Sequence, residues 1–301
     1  MQSPKIAIIG LGYVGLPLAC EFSRFYDVVG FDVSKSRIDE LSKGIDRNAL
    51  ISVTSAKEIK SILFTCDSSS LRLCDVFIIT VPTPLDENGK PNLVPLISAS
   101  ETVGSIMAKD SVVIYESTVF PGATEEVCIP VLEERSGWVL NKTFYCGYSP
   151  ERVSPGDRTR ALTDIVKITS GSNASTATFV DNLYSRIISA GTYKAGSIKI
   201  AEAAKILENT QRDVNIALMN EVSKVIIGKN ENLRRVTVGI LSNGNMLLED
   251  FPGLAKTLLA NTFARALGCK FKRVQFTPDL LPADITGTNI YDAKKGEFTF
   301  K

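Results

Sequence analysis

A glycine-rich turn near the N-terminus restricts what this chain can fold into more than any other feature of the sequence. The segment GLGYVG, residues 10–15, follows the apolar run Ile6–Ile9 and precedes a further apolar stretch. In a strand–turn–helix unit the first glycine permits a tight turn, the second lets a pyrophosphate approach the backbone, and the third lets helix and sheet pack closely. The helix N-terminus then faces the phosphates. The sequence therefore predicts a dinucleotide site that includes Gly10, Gly12, Tyr13, Val14 and Gly15.

An acidic residue downstream of this turn indicates which dinucleotide is bound. Asp32 ends the predicted second strand, at about the spacing expected for such a site. Its carboxylate can accept hydrogen bonds from the ribose diol of adenosine and would repel a 2′-phosphate. The alternative is a glycine turn and a strand-end aspartate without a ligand, but the strand, the glycines, the helix and the acid all agree. The sequence therefore predicts NAD as the cofactor.

The alternation of apolar strands with amphipathic helices predicts an α/β protein. We expect a Rossmann-type doubly wound parallel sheet, followed by a long helix from near Ser197 to about Ile227 and then a shorter α/β fragment. The predicted strands are residues 5–10, 28–32, 76–81, 111–115, 143–148, 165–169, 245–249 and 272–276. The predicted helices other than the long one are residues 15–25, 36–43, 96–107 and 257–267.

The composition excludes several classes of function. A net charge of +1 gives no electrostatic basis for nucleic-acid binding, and no apolar run is long enough to form a transmembrane helix. The absence of histidine excludes Ser-His-Asp hydrolysis and histidine-ligated metals, and we predict no metal site. Six cysteines without CxxC pairs, and no signal-peptide pattern, are typical of reduced thiols. We therefore expect a cytoplasmic protein without nucleic-acid or membrane partners.

Polar residues at two predicted strand ends are candidates for contact with the nicotinamide half of the cofactor. Thr83 lies in VPTP, residues 81–84, and Thr118 lies in ESTV, residues 116–119. Ligands of open α/β sheets bind outside the carboxyl ends of the strands, so both hydroxyls can reach the cofactor. From position alone, strand-end residues that satisfy their own turns are equally favoured.

The long helix carries a second candidate pair. Lys205 and Asn209 are four residues apart and therefore share one helix face. From the residues alone, the simpler interpretation is a solvated Lys205 that pairs with Glu202 or Glu208.

Residues 1–220 resemble the UDP-glucose/GDP-mannose dehydrogenase family, and within it the bacterial UDP-N-acetylhexosamine 6-dehydrogenases that supply capsular and Vi-type polysaccharides. The resemblance is carried by IAIIGLGYVGLPLA, YESTVFPGATEE, GYSPERVSPGD and AGTYKAGSIKIAEAAKILENTQRDVNIALMNE. One departure is Ser154, where relatives often carry asparagine. The family oxidises a sugar C6 alcohol to a carboxylate with two NAD, through a thiohemiacetal and a thioester on a cysteine.

This resemblance implies roles for four residues. Lys205 and Asn209 would stabilise the oxyanion that develops at C6. Glu151 would act as acid and base on the hydrolytic water, and Thr118 would position that water and the nicotinamide. A UDP-sugar is then the expected substrate, and the helix 198–220 is expected to form the interface of a homodimer.

The nucleophile that the family uses is not found. It belongs to a Gly-Gly-His-Cys-type motif downstream of the Lys/Asn helix, whereas this chain has no histidine, and Cys269 lies in an unrelated context. The family's C-terminal domain, which closes over UDP, is also not recognised. Because covalent catalysis needs a positioned and activated thiolate, we expect oxidation to the uronate to be impaired.

From Glu221 the sequence resembles MoxR-type AAA+ ATPases. The resemblance is carried by EVSKVIIG, MLLEDFPGLAKT and FKRVQFTPDLLPADITGT, residues 221–228, 246–257 and 271–288. It implies a partial P-loop NTPase α/β fragment in which Asp250 and Ala255 replace the two glycines of the usual pattern. In this fragment Gly253 belongs to the loop, Lys256 would meet the β/γ-phosphates, and Thr257 would meet magnesium.

Two truncated families therefore account for the chain. We predict a cofactor domain over residues 1–196, the start of the central dehydrogenase helix over 197–220, and the MoxR-like fragment over 221–301. The strand with the Walker B acids is not found, so ATP and Mg²⁺ are at most ligands and hydrolysis is not expected. Besides an impaired dehydrogenase, the sequence is compatible with a non-catalytic protein that binds NAD and ATP, or with a chimeric product without selected function.

Overall fold

A computed structural model gives the fold of residues 3–46, 61–152, 161–242, 244–249, 251, 253–292 and 296–300. The chain forms two compact units, Met1–Thr210 and Gln211–Lys301, and each is described by itself. The units divide inside the predicted long helix. The boundary predicted at residues 220 and 221 from the family resemblances stays a prediction.

Eight strands form one sheet in the N-terminal unit. They are β1 (Ile6–Ile9), β2 (Val28–Phe31), β3 (Leu63–Thr65), β4 (Val76–Ile79), β5 (Val112–Tyr115), β6 (Tyr145–Tyr148), β7 (Lys167–Gly171) and β8 (Thr192–Lys194). Their order in the sheet is β3-β2-β1-β4-β5-β6-β7-β8. The six strands from β3 to β6 pair in parallel, which confirms the predicted doubly wound sheet. The sheet is nevertheless mixed, because β7 runs antiparallel to β6 and parallel to β8.

Helices cover both faces of this sheet. They are α1 (Gly15–Ser23), α2 (Lys35–Ser42), α3 (Val94–Gly104), α4 (Ile129–Ser136), α5 (Ala174–Ser185) and α6 (Ile198–Ser223). Successive residues of β1 enter opposite cores: Ala7 and Ile9 belong to one apolar cluster, and Ile6 and Ile8 to the other. A strand that is buried on both faces reads as a continuous apolar run, and this is why the first strands were recognisable in the sequence.

The predicted long helix is confirmed as α6, while other elements of the N-terminal unit were not predicted. Strand β3, strand β8 and helices α4 and α5 had no counterpart in the sequence interpretation. Among the described residues, no helix combines the length and apolar character needed to cross a bilayer.

The C-terminal unit is mainly helical. It contains α7 (Asn230–Leu241), α8 (Lys256–Ala266), α9 (Pro282–Thr286) and an antiparallel hairpin of β9 (Asn289–Asp292) and β10 (Glu297–Phe300). Its apolar core is formed by Leu218, Val222, Ile226, Leu233, Val236, Leu259 and Phe263. The predicted helix at 257–267 is confirmed within one residue.

The strands predicted at 245–249 and 272–276 are wrong. Both segments are irregular and exposed. A strand requires a neighbour that pairs with its backbone groups, and within the described part of this unit strand pairing is confined to the hairpin. Asp250 and Ser154, which the sequence interpretation had singled out, lie outside the described residues.

Candidate functional site

The glycine turn lies between β1 and α1, at the point where the strand order reverses between β1 and β4. Gly10 has a φ of +95°, a conformation that L side chains rarely adopt. A Cβ atom at Gly15 would lie 1.9 Å from the carbonyl oxygen of Gly10 and 2.4 Å from Oγ1 of Thr80, whereas one at Gly12 would meet no atom within 4 Å. The turn is therefore closed on its inner side and open at Gly12, which fits the approach of a pyrophosphate.

Asp32 and Arg37 fasten this turn to the second strand and its helix. The Asp32 carboxylate accepts hydrogen bonds from the amides of Leu11 and Ser34, each at 2.8 Å. The buried Arg37 donates from Nε to the carbonyl oxygen of Leu11 at 3.1 Å and pairs with Asp46 at 2.8 Å. Asp32 thus holds the glycine turn in place through the same carboxylate that was predicted to accept hydrogen bonds from the ribose hydroxyls.

The loops after β4 and β5 are joined to each other at the same edge of the sheet. The Thr83 hydroxyl donates to the carbonyl oxygen of Thr118 at 2.7 Å, and the Ser117 hydroxyl donates to that of Val81 at 2.6 Å. The Thr83 hydroxyl therefore stabilises the fold. The alternative in which strand-end residues satisfy their own turns comes near to this, but the partner of Thr83 lies at the end of the neighbouring strand. Thr118 is half-buried beside it.

The first turns of α6 are fixed to the N-terminal unit through a buried carboxylate. Glu202 accepts hydrogen bonds from the amides of Gly122 at 2.6 Å and Thr124 at 2.9 Å. One turn later, Lys205 is only 6% exposed, and Asn209 is half-buried. The simpler interpretation of Lys205 as a solvated lysine is therefore wrong, because tight packing of the helix against the sheet unit removes this face from water.

A bidentate ion pair holds the segment after β6 against the same helix. Arg152 contacts Glu208 through Nε at 3.1 Å and Nη2 at 3.2 Å, and its Nη1 donates to the carbonyl oxygen of Val166 at 2.8 Å. Glu151, the neighbour of Arg152, is thereby held beside α6, which carries Lys205.

Glu151 is one of three charged side chains that meet in the interior. Lys167 of β7 lies 2.7 Å from an oxygen of Glu116 and 3.2 Å from an oxygen of Glu151, and the Tyr184 hydroxyl donates to Glu116 at 2.5 Å. Burial raises the pKa of Glu116 above its usual value, and Lys167 partly opposes that shift. Burial alone would lower the pKa of Lys167, but the attraction of both carboxylates reverses this and raises it.

Glu151 also lies within electrostatic range of the glycine turn. Burial raises the pKa of Tyr13, and the negative charge of Glu151 raises it further. The turn and the proposed acid therefore share one region of the N-terminal unit, although their residues are far apart in the sequence.

Two ammonium groups donate hydrogen bonds to the loop that precedes α8 in the C-terminal unit. Lys256 donates to the carbonyl oxygen of Phe251 at 2.8 Å, and Lys229 donates to that of Leu254 at 3.1 Å. Gly253 and Ala255 both have positive φ, +87° and +62°, and Thr257 is exposed at the start of the helix. A cavity of about 370 Å³ adjoins this loop. Its lining includes Ile226, Lys229, Arg235, Val236, Lys256 and Leu259.

Residues 4–188 match the UDP-glucose/GDP-mannose dehydrogenase family, NAD binding domain. This chain belongs to that family. The glycine turn and Asp32 of this dehydrogenase-family chain are therefore parts of an NAD-binding domain. Residues 245–301 separately match the ATPase family associated with various cellular activities (AAA), which supports the predicted fusion of two families.

Relatives of this dehydrogenase-family chain include nucleotide-sugar dehydrogenases. The UDP-N-acetyl-D-glucosamine 6-dehydrogenase of Pseudomonas aeruginosa is 54% identical over 223 residues, 74% of this chain and 53% of that protein. The enzyme of the same name from Salmonella typhi is 53% identical over 243 residues, 81% of this chain and 57% of that protein. The chain thus spans about half the length of these curated relatives.

A solved structure of the UDP-D-ManNAc dehydrogenase of Pyrococcus horikoshii has a TM-score of 0.70 to this chain at 30% sequence identity. The match covers 88% of this chain and 69% of that structure. It confirms the Rossmann-type architecture of this family member.

Two site residues of this dehydrogenase-family chain escaped the sequence interpretation. Arg37 follows Asp32 by five residues on the first turn of α2, and its near-complete burial, next to buried Ile38, is visible only in the fold. Lys167 lies within the strand predicted at 165–169, and no role was given to it. It opens β7, whose sequence is KITSG, and a lysine at the start of a strand is ordinarily interpreted as solvent-facing.

Four of the six cysteine thiols of this family member are buried, and two are exposed. The exposed cysteines are Cys66 and Cys269. Burial raises the pKa of the Cys74 thiol to about 11 and that of Cys128 to about 12. These shifts oppose the thiolate form that a nucleophile requires.

Proposed function

We propose that this chain is an NAD-dependent UDP-N-acetylhexosamine 6-dehydrogenase unit that is impaired in the oxidation of the sugar to a carboxylate. The observation that carries the proposal is the arrangement of buried Lys205 and Glu151 within the unit that carries the glycine turn and Asp32. The names and identities of the relatives supply the substrate class.

Four residues have separate roles in the first oxidation, from the C6 alcohol to the aldehyde. Bound NAD supplies the acceptor for the hydride that leaves C6. Lys205, buried on α6, provides positive charge where the C6 oxygen becomes negative, and Asn209 on the same helix face adds a hydrogen bond. The family resemblance gives Glu151 acid and base work on the hydrolytic water, and we extend that role here to the proton that leaves the C6 hydroxyl. Thr118 positions the nicotinamide at the strand end.

The impairment concerns the second oxidation, which in the resembling family passes through a cysteine. Of the six thiols, Cys20, Cys74, Cys128 and Cys146 are buried. Burial also raises the pKa of Cys146 well above its usual value. We therefore expect at most a trace of aldehyde from UDP-GlcNAc or UDP-GalNAc, and no uronate.

The test incubates the purified chain with each sugar and excess NAD, and follows NADH absorbance and product mass. Lys205→Met should abolish any aldehyde formation, while Lys199→Met, on the exposed side of the same helix, should not change it. Steady release of two NADH per uronate would refute the proposed impairment. Isothermal titration checks the cofactor independently: equal affinities for NAD and NADP would contradict the role of Asp32.

A second candidate function is nucleotide binding by the C-terminal unit without turnover. It is favoured by the cavity beside Lys256, whose lining combines three cationic side chains and one acid, Glu249, with an apolar wall that can contact a base. ATP with Mg²⁺ is the proposed ligand, with Lys256 at the phosphates and Thr257 at the metal. Lys256→Ala should remove ATP binding and leave NAD binding unchanged; any ATPase activity lost in this variant would show that the fragment hydrolyses ATP.

The same proposal includes an oligomeric state and a location. Ile200 and Leu207 are exposed apolar residues seven positions apart on α6, which suits a homodimer through the helix 198–220. Light scattering of the wild type and of Leu207→Glu tests this; a monomer in both would contradict it. The free cysteines are in keeping with a cytoplasmic protein.

A further inference from the structure

The proposed acid, Glu151, belongs to a buried cluster of one lysine and two carboxylates. Lys167 is 2% exposed, and its ammonium lies between Glu116, at the end of β5, and Glu151, beyond the end of β6. The ring of Tyr184 on α5 lies 5.5 Å from the ammonium. Four elements of the fold thus converge on one cation.

Each carboxylate oxygen in this cluster has a donor. Glu116 accepts from Tyr184 and from Lys167 on its two oxygens. Glu151 accepts from Lys167 on Oε2 at 3.2 Å and from the amide of Arg152 on Oε1 at 2.9 Å. Donors on both oxygens favour the ionised form of each acid and restrict how its carboxylate can rotate.

We propose that Lys167 is a positioning residue that fixes the carboxylate of Glu151 and keeps it negatively charged for its work on the substrate. The inference rests on the proposed function, which gives Glu151 its role as acid and base. The contacts between Lys167 and Glu151 are independent of that proposal. A carboxylic acid that already carries its proton cannot act as a base. Two neighbouring buried carboxylates repel each other, which favours protonation of one of them, so a cation between them is needed to keep both ionised. Lys167 is that cation for the pair Glu116 and Glu151.

Stability alone is a poor explanation for the cluster. Taking an ammonium and two carboxylates out of water is costly, and buried ion pairs can often be replaced by apolar side chains without loss of stability. Among the described residues, burial raises the pKa of the Tyr184 hydroxyl and of the Tyr13 hydroxyl, the charge of Glu151 raises both further, and Tyr13 lies on the glycine turn. The negative charge of Glu151 therefore acts on a residue of the cofactor-binding turn.

The experiment measures whether Lys167 determines the protonation of Glu151, using infrared spectra of the full chain at pH 7. In a Glu116→Gln background, Glu151 remains of the two described acids that pair with Lys167. We expect the Glu116→Gln protein to show no protonated carboxyl band from Glu151. Adding Lys167→Met should create such a band, and adding Lys167→Arg should not. The matched control is Lys199→Met in the same background, which removes an exposed lysine paired with exposed Glu126.

Absence of the band from the folded Glu116→Gln/Lys167→Met protein would overturn the proposal, since Glu151 would then stay charged without the lysine. Assignment is checked by Glu151→Gln, which must remove the band. If the methionine variant does not fold, Lys167→Gln in the same background removes the charge while keeping a hydrogen-bonding side chain, and the same two outcomes apply.

Turnover supplies a second readout that separates this inference from the proposed function. If aldehyde forms, Lys167→Met should lower its rate on the acidic side of the pH profile by about tenfold or more, and Lys167→Arg should restore most of it. If no aldehyde forms, which the proposed impairment allows, the infrared result alone decides the role of Lys167.

Discussion

Replacing Gly12 by alanine should separate cofactor binding from folding. Because an added Cβ atom meets nothing within 4 Å, the free energy of unfolding should change by no more than about 0.5 kcal/mol. The same methyl group enters the space through which a pyrophosphate approaches the turn, and overpacking of this kind costs about 1–3 kcal/mol. The affinity for NAD, measured by isothermal titration, should therefore fall by about fivefold to 150-fold.

Gly15→Ala is the matched comparison. Its Cβ atom would lie 1.9 Å from the backbone carbonyl oxygen of Gly10, which cannot move without opening the turn, so unfolding should become easier by about 3 kcal/mol or more. Urea denaturation followed by fluorescence of Trp138, the single tryptophan, reports on the N-terminal unit. Wild-type NAD affinity in Gly12→Ala, or a large loss of stability there, would refute this assignment of the turn.

Three further outcomes are expected. Asp32→Ala should weaken NAD binding by about 1–3 kcal/mol in isothermal titration, through loss of a charged acceptor; unchanged binding in the folded variant would contradict the ribose contact. Ala255→Gly should stabilise α8 by about 1 kcal/mol in hydrogen exchange, because alanine at φ +62° is strained, whereas Ala260→Gly inside that helix should destabilise it by about as much. Ellman's reagent at pH 8 should modify two thiols of the native chain quickly, Cys66 and Cys269, and the other four after unfolding; a third fast thiol would reveal an activated cysteine.

The cofactor turn could be predicted because its requirements are local. A strand, a turn and a helix follow one another within residues 6–23, and the steric needs of Gly10 and Gly15 arise from that unit and the adjacent Thr80. Asp32 was recognisable for a similar reason, since it ends the neighbouring strand. Such features depend on backbone geometry and spacing, both of which the sequence carries.

The charge cluster around Lys167 could not be predicted in the same way. Its partners are 51 residues away at Glu116 and 16 residues away at Glu151, and they meet only because β5, β6 and β7 are neighbours. Nor does the sequence state that β7 runs antiparallel to β6. A lysine at the start of a strand has no local sign of burial.

The strands predicted in the C-terminal unit failed for a related reason. Residues 245–249 contain an apolar run, and Val274 and Phe276 alternate with polar residues as in a strand. Such patterns do not say whether another strand lies alongside. Helix α8 needed no such partner, since its backbone hydrogen bonds are internal, and it formed where predicted.

Helix α6 is fastened to the N-terminal unit by Glu202 and Glu208, both of which precede Thr210. A segment exchanged downstream of Thr210 therefore leaves those contacts in place, together with the buried Lys205. Because a helix repeats every 3.6 residues, foreign sequence can continue it without a new turn, provided its apolar residues keep the phase. Such a helix is a natural recombination point: it lets unrelated modules be joined while the chemistry-bearing turns on the upstream side retain their geometry.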